Sequence, residues 1–281
     1  MNYRECLEHG VSILKKNSIS TANIDAETLL CFSLNKSREE ILLNLDYKIK
    51  KLEINLFNAC ISRRKQNEPV SLITGKRYFW NSYFKINTHV LTPRFETELL
   101  IEELLKQYNF SKRINILDVG LGSGCILISL LKERRKWIGT GIDISKNAIK
   151  TAEFNAKIQQ VDNRIKFVNS DIDKFYNGKY DLIVSNPPYI NLVGYNNLDK
   201  SVKDFEPKKA LYGGIDGLRI IENIIKRSKI ILKNYGTLAM EIGLGQHYKT
   251  LNILKKNGFV VFKTLKDYQK IKRCIFAKKI N

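Results

Sequence analysis

Residues 114–124, Ile-Asn-Ile-Leu-Asp-Val-Gly-Leu-Gly-Ser-Gly, place a short apolar run directly before a glycine-rich turn. The run 114–119 is rich in aliphatic residues, which is typical of a strand buried in a parallel sheet. Residues 125–133 then have the pattern of an apolar helix. The stretch therefore predicts a strand–loop–helix unit, the repeating element of α/β proteins.

The same alternation continues to the end of the chain and predicts an α/β fold with a seven-stranded, mostly parallel sheet covered on both faces. The last predicted strand follows another strand with no helix between them, so we expect it to be antiparallel. The predicted strands are 114–119, 137–142, 165–168, 181–184, 237–242, 258–265 and 273–278, and the predicted helices between them are 125–133, 145–159 and 216–233.

The N-terminal part of the chain has a different pattern. Four helical stripes occupy roughly the first 65 residues, and Ser-Arg-Glu-Glu at 37–40 is a capping box that predicts the start of the third. Alternation of period two then predicts a β-hairpin. We expect a helical domain over 1–74, a hairpin linker over 75–92 and the α/β domain over 93–281. The helical domain could recognise a substrate or be a purely structural cap.

The glycine spacing at 120–124 discriminates between ligands. Glycine lets the backbone turn sharply and approach a ligand without a Cβ clash, although a lone glycine-rich loop can also be only a tight turn. A dinucleotide fingerprint needs G-x-G-x-x-G/A, and its last position here is Cys125. The loop is instead Gly120-x-Gly122-x-Gly124, preceded by Asp118, which suits a cofactor without a pyrophosphate.

Two acidic residues follow the next strands. Asp143 ends the second strand about 20 residues past the loop, where a carboxylate can bind ribose hydroxyls. Its alternative role is to cap the helix that starts near Ser145. Asp171 follows the third strand and could accept a hydrogen bond from an adenine amino group, or be a turn residue.

The tetrad Asn186-Pro187-Pro188-Tyr189 follows the fourth strand. Prolines end a strand ladder and stiffen the backbone, so they can hold the asparagine side chain and two carbonyls at the edge where open α/β sheets bind ligands. This geometry suits a planar amino or amide group. The alternative is a rigid turn in which the asparagine bonds local backbone groups.

Composition limits the classes of partner. The net charge is +20, from 48 Lys and Arg against 28 Asp and Glu. Such a charge favours a polyanionic partner, so nucleic acid contact is possible though not required, but biased composition explains it equally well. No apolar run reaches the 18 or so residues of a membrane helix, and the N-terminus has no apolar segment, so we expect no secretory signal.

Cysteine and histidine usage argues against a metal site. The five cysteines are far apart with no C-x-x-C, and the three histidines share no metal-ligand spacing. The cysteine pattern favours a reducing compartment, so we expect a cytoplasmic protein.

The order DVGLGSG, GID, SD and SNPPY resembles the class I S-adenosylmethionine-dependent methyltransferases, in the subset that methylates planar amino or amide nitrogens. Segments around it resemble the glutamine-N5 methyltransferase family of peptide chain release factors, and the resemblance covers nearly the whole chain. Those segments are 90–98, 205–207, 210–218, 241–243 with Gln246, and, more loosely, 267–268 with Arg273.

The resemblance implies a Rossmann-like methyltransferase domain, S-adenosylmethionine as cofactor, S-adenosylhomocysteine as product and no metal. It implies methylation of the side-chain nitrogen of the glutamine in the Gly-Gly-Gln motif of release factors. The implied catalytic residues are Asn186, Pro187 and Tyr189, and the implied substrate-binding residues are these and Pro188. The implied cofactor-binding residues are Asp118, Gly120, Leu121, Gly122, Ser123, Gly124, Asp143, Asp171, Ile172 and Asn186.

The chain departs from the family pattern at three positions. Leu121 stands where a small or polar residue is usual, Ile172 where an aromatic ring commonly packs on adenine, and Phe95 where proline is usual. None of the three removes a group that methyl transfer needs.

Three other functions stay open. An adenine-N6 DNA or RNA methyltransferase uses a similar tetrad and is favoured by the charge, but not by the helical domain or the segment 93–98. The related glutamine methyltransferase of a ribosomal protein shares the tetrad and differs in that segment. A catalytically inactive binding scaffold conflicts with the intact loop, Asp143 and tetrad.

Overall fold

The structure is a computed structural model and describes residues 1–280. The chain divides into two compact units. The first comprises residues 1–76 together with 199–205, and the second comprises 77–198 together with the chain from residue 206 onward. Within residues 1–280, no helix is both long enough and apolar enough to cross a membrane.

The helices α1–α13 are, in chain order, Tyr3–Lys16, Ala22–Leu34, Arg38–Leu43, Lys51–Arg64, Val70–Thr74, Glu98–Gln107, Cys125–Glu133, Lys146–Ile158, Leu192–Asn196, Lys200–Lys203, Lys208–Leu211, Arg219–Ile231 and His247–Lys256. The strands β1–β9 are Lys76–Phe79, Ser82–Lys85, Asn115–Val119, Ile138–Asp143, Ile165–Asn169, Tyr180–Ser185, Leu232–Glu241, Phe259–Lys266 and Lys272–Lys279. Short 3-10 helices lie at Phe95–Thr97, Asp162–Arg164 and Ile172–Lys174.

The first unit is helical and has its own apolar core. The capping box predicted at Ser37 is present, because the Ser37 hydroxyl accepts the Glu40 N–H at 3.1 Å and the Glu40 carboxylate accepts the Ser37 N–H at 2.8 Å. Side chains from α1, α2 and α4 fill the core. Its fully buried members include Leu14, Leu29 and Phe57.

The second unit contains a seven-stranded sheet in the order β5-β4-β3-β6-β7-β9-β8. Strands β3 to β7 pair in parallel, and β9 is antiparallel to both β7 and β8. The predicted α/β class, strand number and antiparallel last strand are therefore confirmed. The chain runs outward from β3 through β5 and then returns to the other side of β3 with β6. This reversal opens a crevice at the carboxyl ends of β3 and β6, where open α/β sheets bind ligands.

Apolar side chains cover both faces of this sheet. Successive residues of β3 point to opposite faces, so Ile116 joins one buried cluster and Leu117 the other. Leu100 of α6 packs in the first cluster and Ile221 of α12 in the second. The central strands are buried on both sides, which explains their aliphatic runs.

Helices α6 and α13, which we did not predict from the sequence, pack beside the sheet. Helix α6 buries Leu100, Ile101 and Leu104 on one stripe, and α13 buries only Thr250 and Leu254. The weak stripe of α13 explains why it was missed. Helix α12 ends at Ile231, two residues before its predicted end, because β7 begins at Leu232 and pairs with Tyr180.

Candidate active site

The glycine-rich loop between β3 and α7 has an open, left-handed backbone. Gly120, Gly122 and Gly124 have φ of +75°, +55° and +80°. A Cβ on Gly120 would contact nothing within 4 Å, and one on Gly122 would meet only a backbone oxygen at 3.9 Å. The Gly120 N–H donates to the Ile142 carbonyl at 3.0 Å, and the Gly122 N–H donates to Asp143 Oδ2 at 2.9 Å. The loop is thus tied to the end of β4 with free space along its backbone.

The rest of the loop packs into the domain. Gly124 has a left-handed φ that favours glycine, and a Cβ there would also lie 2.7 Å from Ile128 Cδ1, so this side chain would have to shift. Leu121 is buried over Gly141, where a Cβ would lie 2.6 Å from its methyl carbons. The unusual leucine therefore fills space above a glycine of β4. Ser123 is also buried.

Asp118, at the end of β3, carries a buried polar atom without a partner. Its Oδ2 accepts the Leu127 N–H at 3.3 Å, whereas Oδ1 has no hydrogen-bond partner in the described part of the chain. Burial raises the pKa of this carboxyl from 3.8 to about 8, and the Leu127 N–H opposes the shift. A buried polar oxygen without a partner at this loop suits a polar ligand group.

Asp143 bonds backbone groups with both carboxylate oxygens. Besides the Gly122 N–H, it accepts the Ser145 N–H on Oδ1 at 2.8 Å. Burial raises its pKa, and these two N–H groups oppose the shift. The cap of α8 that the sequence offered as its other role is made by Ser145, whose hydroxyl accepts the Ala148 N–H at 3.2 Å. Each oxygen of Asp143 keeps a lone pair for a further donor.

The next two predicted residues differ in exposure. Asp171 is exposed and caps the short helix after β5 by accepting the Asp173 N–H at 3.1 Å. Ile172 is 6% exposed and belongs to the same buried cluster as Val119 and Ile142. Their predicted contacts with a cofactor stay predictions.

A hydrogen-bond network connects the tetrad to two other segments. Asn186 Nδ2 donates to Thr97 Oγ1 at 3.0 Å, and Thr97 Oγ1 donates to Glu241 Oε2 at 2.6 Å. The Tyr189 hydroxyl donates to Glu241 Oε1 at 3.0 Å. Asn186 Oδ1 makes no hydrogen bond within residues 1–280, so the amide presents an unused acceptor. One buried carboxylate therefore connects both polar side chains of the tetrad.

Burial determines the electrostatics of this network. It raises the pKa of Glu241, while the bonds from Thr97 and Tyr189 and the positive charge of Arg273 oppose the shift. Burial also raises the pKa of Tyr189, and the Glu241 carboxylate adds to that increase. Tyr189 is therefore a neutral hydrogen-bond donor and not a base.

The backbone of the tetrad rests on two later loops. Gln246 Nε2 donates to the carbonyls of Tyr189 at 2.9 Å and Gly217 at 3.1 Å, and its Oε1 accepts the Gly243 N–H at 2.8 Å. A Cβ on Gly213 would lie 2.5 Å from the Pro188 carbonyl. These glycines let the loops approach the tetrad closely, which holds its carbonyls in place.

A cavity of about 210 Å³ opens beside the tetrad. Ion pairs hold two arginines of its wall, because Arg94 contacts the buried Glu206 at 2.7 Å and Arg273 contacts Asp267 at 2.8 Å. A neighbouring groove of about 420 Å³ shares the wall residue Glu96. The residues that line the cavity are Arg94, Glu96, Tyr189, Glu241 and Arg273.

The structure brings the predicted loop and tetrad to neighbouring strand ends, since Asp118 pairs with Val184 across β3 and β6. Sequence reasoning assigned no role to Thr97 or Glu241, which appeared only inside segments that carried the resemblance. Both are polar residues that the fold buries, with exposed fractions of 2% and 1%. Burial of that kind is not visible in a sequence pattern. In the described residues, no group of three or more His, Cys, Asp or Glu could hold a metal ion.

Comparisons with known proteins agree with this architecture. Residues 5–75 match the model of the PrmC N-terminal domain, and residues 95–199 match that of the methyltransferase small domain. The solved ribosomal protein L11 methylase of Lactobacillus delbrueckii subsp. bulgaricus superposes with a TM-score of 0.51 at 18% identity, covering 73% of this chain and 90% of that one. This fold, together with the matched methyltransferase model and the sequence relatives described next, defines a class I S-adenosylmethionine-dependent methyltransferase.

Sequence relatives narrow the class. The release factor glutamine methyltransferase of Fusobacterium nucleatum is 36% identical, over 96% of this chain and 77% of its own length. That of Clostridium acetobutylicum is 34% identical, over 99% of this chain and 98% of its own. This chain belongs to the release factor glutamine methyltransferase family.

Proposed function

We propose that this protein transfers a methyl group from S-adenosylmethionine to the side-chain nitrogen of the glutamine in the Gly-Gly-Gln motif of peptide chain release factors. The observation that carries the proposal is the amide of Asn186. Its Nδ2 is occupied by Thr97, while its Oδ1 is unused at the carboxyl end of β6. An acceptor held in this way is suited to a substrate N–H.

The residues at the glycine loop fit the cofactor. Gly120 and Gly122 offer an open backbone for the methionine part, Asp118 Oδ1 is a buried polar atom without a partner, and Asp143 keeps lone pairs for ribose hydroxyls. Predicted adenine contacts are Asp171 and Ile172. The bound cofactor supplies a methyl group that is already activated by its positively charged sulfur.

The chain must orient a poor nucleophile, because an amide nitrogen shares its lone pair with its own carbonyl. In this proposal, Asn186 Oδ1 and the Pro187 carbonyl each accept one N–H of the substrate amide. Both bonds strengthen as the nitrogen becomes positive in the transition state, which lowers the barrier. The ring of Tyr189, held by its bond to Glu241, lies against the amide plane, and Pro188 keeps the turn rigid.

Neither Glu241 nor Tyr189, the two titratable groups bonded to the tetrad network, is a free general base. Glu241 accepts hydrogen bonds on both oxygens, and Tyr189 is neutral. The proposed reaction needs none to begin, because the surplus proton becomes acidic only after the nitrogen has been methylated and can then leave to water.

The experiment is transfer of tritiated methyl groups to purified release factor, with DNA, ribosomal RNA and ribosomal protein as parallel substrates. Mass mapping should place the label on the glutamine of the Gly-Gly-Gln motif. Labelling of adenine, or of the ribosomal protein alone, would contradict the proposal. Release factor affinity that weakens with salt would support a role for the net charge of +20 in binding that partner.

Asn186→Ala should lower the rate of methyl transfer about 100-fold or more, the effect of losing an oriented transition-state contact. Asn109→Ala is the matched control, because Asn109 lies in the loop that leads into the opposite end of β3. It should keep the wild-type rate. Near-normal turnover of Asn186→Ala with intact binding of S-adenosylhomocysteine would refute the assigned role.

A further inference from the structure

We propose that Glu241, acting through Thr97, determines which end of the Asn186 amide faces the substrate. Both are positioning residues and do not touch the reacting atoms. The inference rests on the proposed function, since it concerns how the substrate amide is oriented. It adds to that function a reason why the asparagine presents an oxygen and not an NH₂ group.

The Thr97 hydroxyl has a single hydrogen to donate. A carboxylate can only accept hydrogen bonds, so the 2.6 Å contact with Glu241 Oε2 uses that hydrogen. Burial raises the pKa of Glu241, and the hydrogen bonds from Thr97 and Tyr189 and the charge of Arg273 oppose that shift. Each oxygen of Glu241 accepts one hydroxyl hydrogen, Oε2 from Thr97 and Oε1 from Tyr189. Thr97 Oγ1 is therefore left with lone pairs only on the side of Asn186.

The direction of the Thr97 hydrogen sets the orientation of the Asn186 amide. A hydroxyl oxygen without a hydrogen to give must meet a donor, so Nδ2 and not Oδ1 lies 3.0 Å from Thr97 Oγ1. The two ends of an asparagine amide have nearly the same shape, and packing alone distinguishes them poorly. If the Thr97 hydrogen pointed to Asn186, the amide would turn over and present donors to the donors of the substrate.

The same carboxylate also holds the other side chain of the tetrad. Tyr189 donates its hydroxyl to Glu241 Oε1 at 3.0 Å, so a single buried group, 1% exposed, orients both. Because Thr97 and Tyr189 bond the two oxygens of one planar carboxylate, the positions of their hydroxyl groups depend on each other. A merely structural role for Thr97 would need only that its volume be filled.

The test compares Thr97→Val, which keeps the volume and removes the hydroxyl, with Thr97→Ser, which keeps the hydroxyl. Release factor and S-adenosylmethionine are the substrates. We expect Thr97→Val to lower kcat by about 10- to 100-fold with a smaller change in KM, because the misplaced acceptor matters most in the transition state. Thr97→Ser should stay within about threefold of wild type. Equal kcat for the two variants would overturn the inference.

A double-mutant cycle with Asn186→Asp separates an effect on the orientation of the amide from an effect on folding. In Asn186→Asp, either carboxylate oxygen can accept, so orientation no longer matters and adding Thr97→Val should cost less than about threefold. An undiminished cost in that background would also overturn the inference. If Thr97→Val lacks a cooperative melting transition, Thr97→Ala takes its place in both comparisons. Absence of methylation by wild type would instead refute the proposed function itself.

Discussion

Gly217 packs closely against the backbone of the tetrad, and replacing it with alanine should displace the Tyr189 carbonyl. A Cβ at this position would lie 2.3 Å from the Tyr189 oxygen and 2.6 Å from Gln246 Nε2. Real Cβ atoms essentially never approach a non-bonded heavy atom closer than 3.0 Å, so the residue 217 backbone and the Tyr189 carbonyl must separate by at least about 0.7 Å. Displacement on this scale at a substrate-positioning loop can cost up to about 100-fold in rate.

The variant Gly258→Ala separates the effect of that displacement from the cost of placing alanine in a left-handed backbone. Gly217 has φ of +76°, so alanine also pays about 1–2 kcal/mol for a left-handed backbone. Gly258 has φ of +81°, and a Cβ there would contact nothing within 4 Å. Gly258→Ala therefore carries the same backbone cost, in the turn before β8, without a clash.

The assay is tritiated methyl transfer to release factor, with a melting curve and a titration with S-adenosylhomocysteine for each variant. We expect Gly217→Ala to lose about 10- to 100-fold in kcat/KM and Gly258→Ala less than about threefold. Cofactor binding should be unchanged in both, because the displacement is at the tetrad. Equal activities of the two variants, or loss of cofactor binding in Gly217→Ala, would refute the reasoning.

Two further predictions concern stability and are measured by urea unfolding. Asp118 has its pKa raised from 3.8 to about 8, so between these values the folded protein keeps a proton that the unfolded chain has released. The free energy of unfolding contributed by this group therefore falls as pH rises, by up to about 1.4 kcal/mol per pH unit. The stability of Asp118→Asn relative to wild type should accordingly increase between pH 5 and 8. Parallel curves of stability against pH for the two proteins would contradict this. Arg94→Gln should cost about 2 kcal/mol, because it leaves the buried carboxylate of Glu206 unpaired. Arg38→Gln is the control, because it breaks an ion pair of the same 2.7 Å length with Glu27 at an exposed arginine. It should change stability little. Equal losses of stability in the two variants would show that burial of the carboxylate is not the cause.

Local patterns predicted most elements of the α/β domain. Helix α7 has the predicted bounds of 125–133, because its apolar residues are contiguous and the glycine loop marks its start. The central strands β3, β4 and β6 were identified because their aliphatic runs indicate burial on both faces, whereas the edge strands β5 and β8 are only partly buried. Helix α6 was missed although Leu100, Ile101 and Leu104 form a helical stripe, and a search for periodicity after residue 97 would find it.

Other features depend on contacts between distant segments. Residues 199–205 belong to the N-terminal unit although they follow the tetrad in sequence. Neither composition nor periodicity predicts this assignment, because only the path of the folded chain decides which unit a short segment such as α10 joins. The order β7-β9-β8 is likewise a property of the assembled sheet.

The sequence by itself determined the chemistry of the site. The glycine spacing at 120–124 and the tetrad at 186–189 each lie within a few residues at the end of a strand, where residue type alone limits what the backbone can do. Only the tertiary structure brought Thr97 to Asn186, 89 residues away, and Glu241 to Thr97, 144 residues away. Such contacts follow from sheet order and burial, and these depend on the whole packed domain and not on any local pattern.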